Sequence, residues 1–486
     1  MSLPGWRPCC GVVLVWIVNP FDPLPGESDV PLRYWALCRT LAKAGHGVVW
    51  WSSSFSHLTK TVRRQPAGPI EVGDGAAFNL RLIDTAPYRN NVGLARLRNH
   101  RQFAHRFYRD ARQALDEATL PPPDRIVISL PPLGLAEAAC RLRDEIQRDQ
   151  PAKTGPAACE VVVDLMDAWP DTFYQLLPPG LRPCLGRWIF APLHRRAAFA
   201  INHADKISAV GQSYLDWAKS YLPDAPSTSP GSLRPGPTSG SCDEPRPAAR
   251  EAGDTQAPRM APTPGTGKPM YLCYHGTDLE RFDRQPERDR EETALPELGP
   301  EPAKPILLYL GSMGRGYDLM TLIELAARWQ ARGQFPYQLH LAGTGPLEPA
   351  LRQAAEQKGL LPEGRVRFHG LLNRADATRL LLEAELALVP NRPASLVACP
   401  YKAAEYAAAG LPLISCLGGE LGGLIRHFEA GTEYKEGDVE SLDTALKKYS
   451  QDPDLLQTHG QNSRRMAATL FDRSKTYPGF AEFILS

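Results

Sequence analysis

The stretch YLGSMGRGYDL, residues 309–319, ends an apolar run, crosses three glycines and opens a helical pattern. The run leading into it from Ile306 is continuously apolar, as expected of a strand covered on both faces. Gly311, Gly314 and Gly316 would let backbone amides approach an anion, with Arg315 supplying charge. The turn matches neither GxxxxGK[ST] nor GxGxxG, so an ordinary tight strand-to-helix turn is the competing reading. Strand, glycine turn and helix form the unit from which doubly wound sheets are built. Whether that unit recurs decides the fold.

It recurs in both directions. Toward the C-terminus, strand patterns at 338–342, 366–369, 386–389 and 413–415 alternate with helical patterns. Two of them run into turn signals: LAGTGP, residues 341–346, with Gly343 and Gly345, and RFHG, residues 367–370, with Phe368 and His369. Toward the N-terminus, strands are expected at 12–18, 48–52, 125–130, 160–164 and 206–210, and helices at 34–44, 94–115 and 135–146. This alternation predicts parallel sheets with helices on both faces, and 486 residues are too many for one hydrophobic core. The expected fold class is α/β, with two Rossmann-like doubly wound domains facing across a cleft. One domain is expected over 11–283, a polar linker over 284–304, a second domain over 305–470, and a closing helix over 471–486 that packs back. Within the first domain, residues 225–268 hold only Leu233 and Met260 as large apolar side chains, so this Pro-rich insert is expected to be disordered.

Composition narrows the class further. With 43% hydrophobic residues, 22% charged residues and a net charge of +1, the chain has no global pull toward nucleic acid. Ten cysteines are scattered without a CxxC pair or Cys/His ligand spacing, which speaks against a zinc site and against a disulfide framework. The opening CCGVVLVWIVNP, residues 9–20, lacks a cleavage signal and reads as a buried first strand. A cytoplasmic protein is expected.

The second informative stretch is PYKAAEYAAAGLP, residues 400–412. Pro400 and Tyr401 open a helix that carries Lys402 and Glu405 in its first turns. The helix dipole alone favours a glutamate there. Alternatively, Lys402 and the helix amides would meet a phosphate while Glu405 accepts hydrogen bonds from ribose hydroxyls. In the first half, VVVDLMDAWPDTF, residues 161–173, puts Asp164 at a strand end, either facing the cleft to orient an acceptor hydroxyl or capping a helix. Seven arginines at 89, 96, 98, 101, 106, 109 and 112 face one acid, Asp110, and read as a solvated basic face or as a contact for an anionic membrane surface.

Taken in order, YLGSMGRGYDL, LHLAGTGP, VRFHG, PYKAAEYAAAGLPLI and EAGTEYKEGD resemble the donor-binding half of a family 4 glycosyltransferase. VNPFDPLPGE, LAKAGHGVVWW, SLPPLG, VVVDLMDAWPDTF and HGTDLERFD fall in the same family order in the first half. The similarity is greatest to bacterial members that build surface polysaccharides or modify lipid-linked sugars. It implies the GT-B fold, an acceptor-side N-terminal domain, and a C-terminal domain that binds a nucleotide sugar, with a uridine diphosphate sugar put first. It implies a metal-independent, retaining enzyme without a cofactor, acting on a glycan or lipid-linked acceptor, cytoplasmic or peripheral to the inner membrane. Residue by residue, Glu405 would bind the donor ribose, and Arg315 and Lys402 would neutralise the diphosphate. With Asp164 these form the expected catalytic set. Gly311, Gly314, Gly343, Gly345, Phe368, His369, Pro400 and Tyr401 would line the donor, and Gly26 would lie in the loop that closes over it. Two departures stand out: Val397 occupies the position of the family's first glutamate, eight residues before Glu405, and Ser312 stands where many members carry arginine. They keep a non-catalytic GT-B scaffold in play. A sugar-nucleotide epimerase shares the fold but would need acid/base groups that the sequence does not display.

Overall fold

The computed structural model describes residues 11–27, 32–63, 67–73, 75–90, 93–149, 158–178, 180, 182–223, 267–283, 305–361 and 365–486. The linker 284–304 and nearly all of the 225–268 insert lie outside them. Gly267 and Lys268 are described, and Lys268 is anchored: its Nζ donates to the carbonyls of Ile201 and Asn202 at 2.7 and 2.8 Å. Gly267 and Lys268, expected in the insert, thus pack with the first unit.

The chain forms two compact units, each around its own sheet. The first contains β1 (Leu14–Val18), β2 (Gly47–Ser53), β3 (Gly68–Gly73), β4 (Ala76–Ile83), β5 (Arg125–Leu130), β6 (Glu160–Leu165), β7 (Lys206–Ala209) and β8 (Met270–Leu272). Their order is β3-β4-β2-β1-β5-β6-β7-β8, parallel except for the β3–β4 hairpin. β1, β2 and β5 are buried along their whole length, which explains their largely apolar runs. The β3–β4 hairpin escaped the sequence reading because it lies at the sheet edge, where β3 alternates half-buried with exposed residues.

Asp164, at the carboxyl end of β6, is fully buried and does not face solvent. It accepts from Arg33 Nε and Nη2 at 2.7 and 2.8 Å, from Tyr34 Oη at 2.7 Å and from Ser208 Oγ at 2.7 Å. Arg33 spends its remaining arm on the carbonyl of Cys273 at 2.8 Å. Burial opposes the charged carboxylate, but the Arg33 charge and the three donors hold its pKa below the ordinary value. Asp164 thus belongs to a closed polar knot under the sheet, neither a helix cap nor an acceptor contact. Asp164→Ala would leave Arg33 charged and unpartnered in the core. We expect it to destabilise the protein by about 3–5 kcal/mol, read as a lowered denaturation midpoint. Unchanged stability with lost activity would restore Asp164 to the catalytic set.

The final helix, Arg473–Leu485, completes the first unit. Tyr477, Phe480, Phe483 and Ile484 enter a core with Val15, Ile17, Tyr34, Leu37 and Trp50. Tyr271 stacks on Phe480 and Phe483 with centroids 6.0 and 5.1 Å apart.

The second unit contains β9 (Ile306–Leu310), β10 (Gln338–Ala342), β11 (Val366–Gly370), β12 (Leu386–Val389), β13 (Leu413–Ser415) and β14 (Gly431–Glu433), all parallel, in the order β11-β10-β9-β12-β13-β14. The order reverses between β9 and β12. In such sheets the loops leaving the two strands diverge there and open a crevice at their carboxyl ends. Residues 274–283, expected in the first domain, pack with this unit, because Tyr274 Oη donates to Glu420 at 2.6 Å and Arg281 pairs with Glu405.

Candidate active site

The residues that converge on this reversal point come from the loops after β9, β10 and β11 and from the helix Tyr401–Ala408. The loops interlock through backbone bonds: Gly311 N to Ala342 O at 2.9 Å, Met313 N to Thr344 O at 2.9 Å, and Gly343 N to Gly370 O at 2.6 Å. Glycine is required where they cross. A Cβ on Gly343, which has φ +120°, would fall 2.0 Å from Gly311 O, and one on Gly345 would fall 2.5 Å from Met313 O. Gly314 meets nothing closer than 3.8 Å, so packing does not explain its identity.

Tyr406 staples the helix to the end of β9, donating to Leu310 O at 2.9 Å and accepting from Leu310 N at 2.8 Å. One turn earlier, Lys402 is delivered to the glycine loop. Its Nζ lies 4.3 Å from the Tyr309 ring centroid and 4.1 Å from that of Tyr317, and donates to Tyr309 Oη at 3.1 Å. A Cβ on Gly311 would stand 2.8 Å from this ammonium. Lys402 is only 9% exposed, and no carboxylate partners it among the described residues. Burial brings its pKa down to about 7. Two aromatic faces and one phenol oxygen are weak compensation for a desolvated cation. The arrangement is one that an anion would complete.

Glu405 lies one turn further along, also 9% exposed. Its Oε1 accepts from Arg281 Nη1 at 2.8 Å, and Arg281 is fixed in turn by Thr378 Oγ1, which accepts from its Nε at 2.5 Å. Oε2 accepts nothing among the described residues. Arg281 was missed in the sequence, because Lys402, three residues before Glu405, is the cation at helical spacing, yet its ammonium goes to Tyr309 and leaves the carboxylate to Arg281. Pro400 precedes the helix in an extended conformation, and no side chain caps the first turn. Tyr401 turns its hydroxyl to Arg473 Nη2 at 2.5 Å. Arg315 is exposed on the β9 loop and makes no hydrogen bond or ion pair among the described residues.

The β11 residues are less directly engaged. Phe368 lies under the Arg352 guanidinium at 4.5 Å, and His369 Nε2 lies 3.2 Å from His340 Nδ1. Burial holds both imidazoles below their ordinary pKa, His340 at about 3. Gly26 belongs to the first unit, on an exposed turn with φ +88°. Of the two departures, Val397 is half-buried in the loop before the helix, and Ser312 is exposed with its carbonyl accepting from Tyr309 Oη at 2.5 Å.

Residues 304–452, which hold this site apart from Arg281 and Arg473, match the family model of the glycosyl transferases group 1. The second unit has the fold of the C-terminal half of a GT-B glycosyltransferase. Glycogen synthase of Mycobacterium tuberculosis is 30% identical over 169 residues, which cover 34% of this chain and 39% of that protein. The chain thus matches about two fifths of the length of its curated relatives. Among solved structures, sucrose-phosphate synthase from Thermosynechococcus elongatus aligns over 97% of this chain and 98% of its own, with TM-score 0.63 and 15% identity. Anabaena HepE in complex with UDP and glucose aligns over 97% and 98%, with TM-score 0.54 and 13% identity. These likenesses extend the GT-B fold over both units.

Proposed function

We propose that the protein is a retaining, metal-independent glycosyltransferase that moves a sugar from a nucleotide-sugar donor, a uridine diphosphate sugar first, to a glycan or lipid-linked acceptor. The observation that carries this reading is the Lys402 ammonium, buried without a carboxylate beside the Gly311 turn. Departure of a nucleoside diphosphate builds negative charge on its phosphate oxygens, and a preorganised, desolvated cation stabilises that charge most where water is excluded. Exposed Arg315 adds a second cation on the same loop. The free Oε2 of Glu405, one turn from Lys402, suits a ribose hydroxyl. The UDP of the HepE complex, on the same fold, supports a nucleotide there.

In the proposed chemistry the bond between the anomeric carbon and the phosphate oxygen breaks, and the acceptor oxygen bonds to the same face of that carbon. The acceptor's proton passes to the departing phosphate. No protein nucleophile is called for, and the Asp164 knot supplies none. The scaffold alternative rests on Val397, where the family's first glutamate is replaced by an apolar residue, and on Ser312, where many members carry arginine.

Calorimetric titration of uridine, guanosine and adenosine diphosphates into the full chain tests the reading. One nucleotide is expected to bind, and its glucose conjugate, offered with a glycan acceptor, to give a glycoside whose anomeric configuration, read by proton NMR, is that of the donor. Inversion would refute the retaining mechanism, and failure of all three nucleotides to bind would leave only the scaffold.

A further inference from the structure

The helix Arg182–Ile189 in the first unit is seated by Gly186, where a Cβ would stand only 2.7 Å from the Tyr174 ring. Trp188, two residues on, therefore projects from the far side of the helix, with Leu185 beside it and Ile189 on the flank nearer Gly186. The three are 82%, 45% and 48% exposed, and Leu176 on the preceding turn is 56% exposed. An exposed tryptophan with three exposed aliphatic neighbours in sequence reverses the usual amphipathic arrangement. A row of rings connects this patch to the start of the helix Leu94–Asp116. Phe190 lies 6.0 Å from Phe173, Phe173 lies 4.4 Å from Trp169, and Trp169 lies 5.1 Å under the Arg96 guanidinium. Leu94, at that helix start, is 84% exposed.

The exposed charge next to the patch is mainly positive, although Arg196 pairs with Glu137. Residues 172–196 contain four arginines and no Asp or Glu. Arg187 and Arg195 are exposed and form no ion pair among the described residues, and the same is true of Arg98 and Arg101. Further along the Leu94–Asp116 helix the basic stripe is neutralised: Arg109 pairs with Asp110, and Arg112 with Asp116 and Asp149. Uncompensated positive charge is thus kept at the end of the helix tied to the apolar patch. Among the described residues no helix is long and apolar enough to cross a bilayer.

We propose that the helix Arg182–Ile189 rests on an anionic phospholipid surface, with Trp188, Leu185 and Ile189 entering the interfacial layer and Arg187, Arg195, Arg98 and Arg101 facing the headgroups. A tryptophan places an apolar ring and a polar N–H at the boundary between headgroup and acyl chain. Arginine charge close to an anionic leaflet adds an attraction that salt weakens. Neither contribution suffices alone for stable attachment, and the patch supplies both.

Flotation of the full chain with vesicles of phosphatidylcholine alone, or of equimolar phosphatidylglycerol and phosphatidylcholine, tests this. Wild type should float with the anionic vesicles, less so at high salt, and remain below with the neutral ones. Leu185→Ser with Trp188→Ser should lower the partition coefficient by roughly tenfold or more, without lowering the melting temperature. Should that pair unfold the protein, Arg187→Gln with Arg195→Gln decides instead, by losing the preference for anionic vesicles. Three results would overturn the proposal: absence of wild-type binding to anionic vesicles, equal binding by wild type and the folded variants, or sedimentation showing a dimer that the Ser variants dissociate. The last would make a second copy of the chain the occupant.

Discussion

Lys402→Met is expected to lower turnover with a nucleotide-sugar donor by about 100- to 1,000-fold, and to raise the melting temperature while doing so. The two effects share one cause. The ammonium is desolvated between Tyr309 and Tyr317 with no carboxylate among the described residues, and burial brings its pKa down to about 7. In the unfolded chain a lysine titrates near 10.4, so between these values the unfolded state binds more protons than the folded one. Stability from this group therefore rises with pH across that window, and its penalty is largest below pH ~7. Methionine fills similar space without charge. Its gain in melting temperature should be greatest in mildly acidic buffer and fade toward pH ~10. A diphosphate would restore the ammonium, so nucleotide binding above neutral pH should take up protons, measurable by titration in buffers of differing ionisation enthalpy. A variant that melts lower than wild type in acid would mark Lys402 as a core strut. Unchanged turnover would remove it from the site.

The sequence disclosed the sheets more readily than the side chains that act at their edges. β1, β5, β9 and β12 are buried, and continuous apolar runs bounded by turn residues identify such strands. Gly311, Gly343 and Gly345 were legible as a set because each follows a strand pattern, although only coordinates reveal that the first two approach one another within a Cβ radius. Lys402 and Glu405 were legible as a pair of charges at a helix start. Their partners were not, since Tyr317 and Arg281 are brought in from 85 and 124 residues away. Asp164 illustrates the opposite failure. A carboxylate at a strand end can face a crevice or a core, and the choice was made by Arg33, 131 residues distant in the chain. Trp188 carried no signal in the sequence because RWIF reads equally well as a core segment. Its exposure follows from Gly186 turning the other face inward.

Glu405→Gln is expected to weaken binding of uridine diphosphate by about 10- to 100-fold while leaving inorganic pyrophosphate unaffected. The amide keeps an oxygen for Arg281 Nη1, so the fold of the Thr378–Arg281–Glu405 chain should survive with a modest loss of stability. What it loses is the charged acceptor on the side away from Arg281, where Oε2 has no partner among the described residues. A hydrogen bond to a charged acceptor contributes about 1.5–3 kcal/mol, and a ribose can make two of them. Pyrophosphate has no ribose, so its affinity isolates the cationic part of the site: it should fall in Lys402→Met and hold in Glu405→Gln. The two variants and two ligands thus form a cycle with opposite expected signatures. Equal losses for both ligands in Glu405→Gln would mean that the carboxylate acts only by holding Arg281 in place. Wild-type binding of pyrophosphate without any preference for a nucleotide would mean that the anion site has outlived the sugar donor it served.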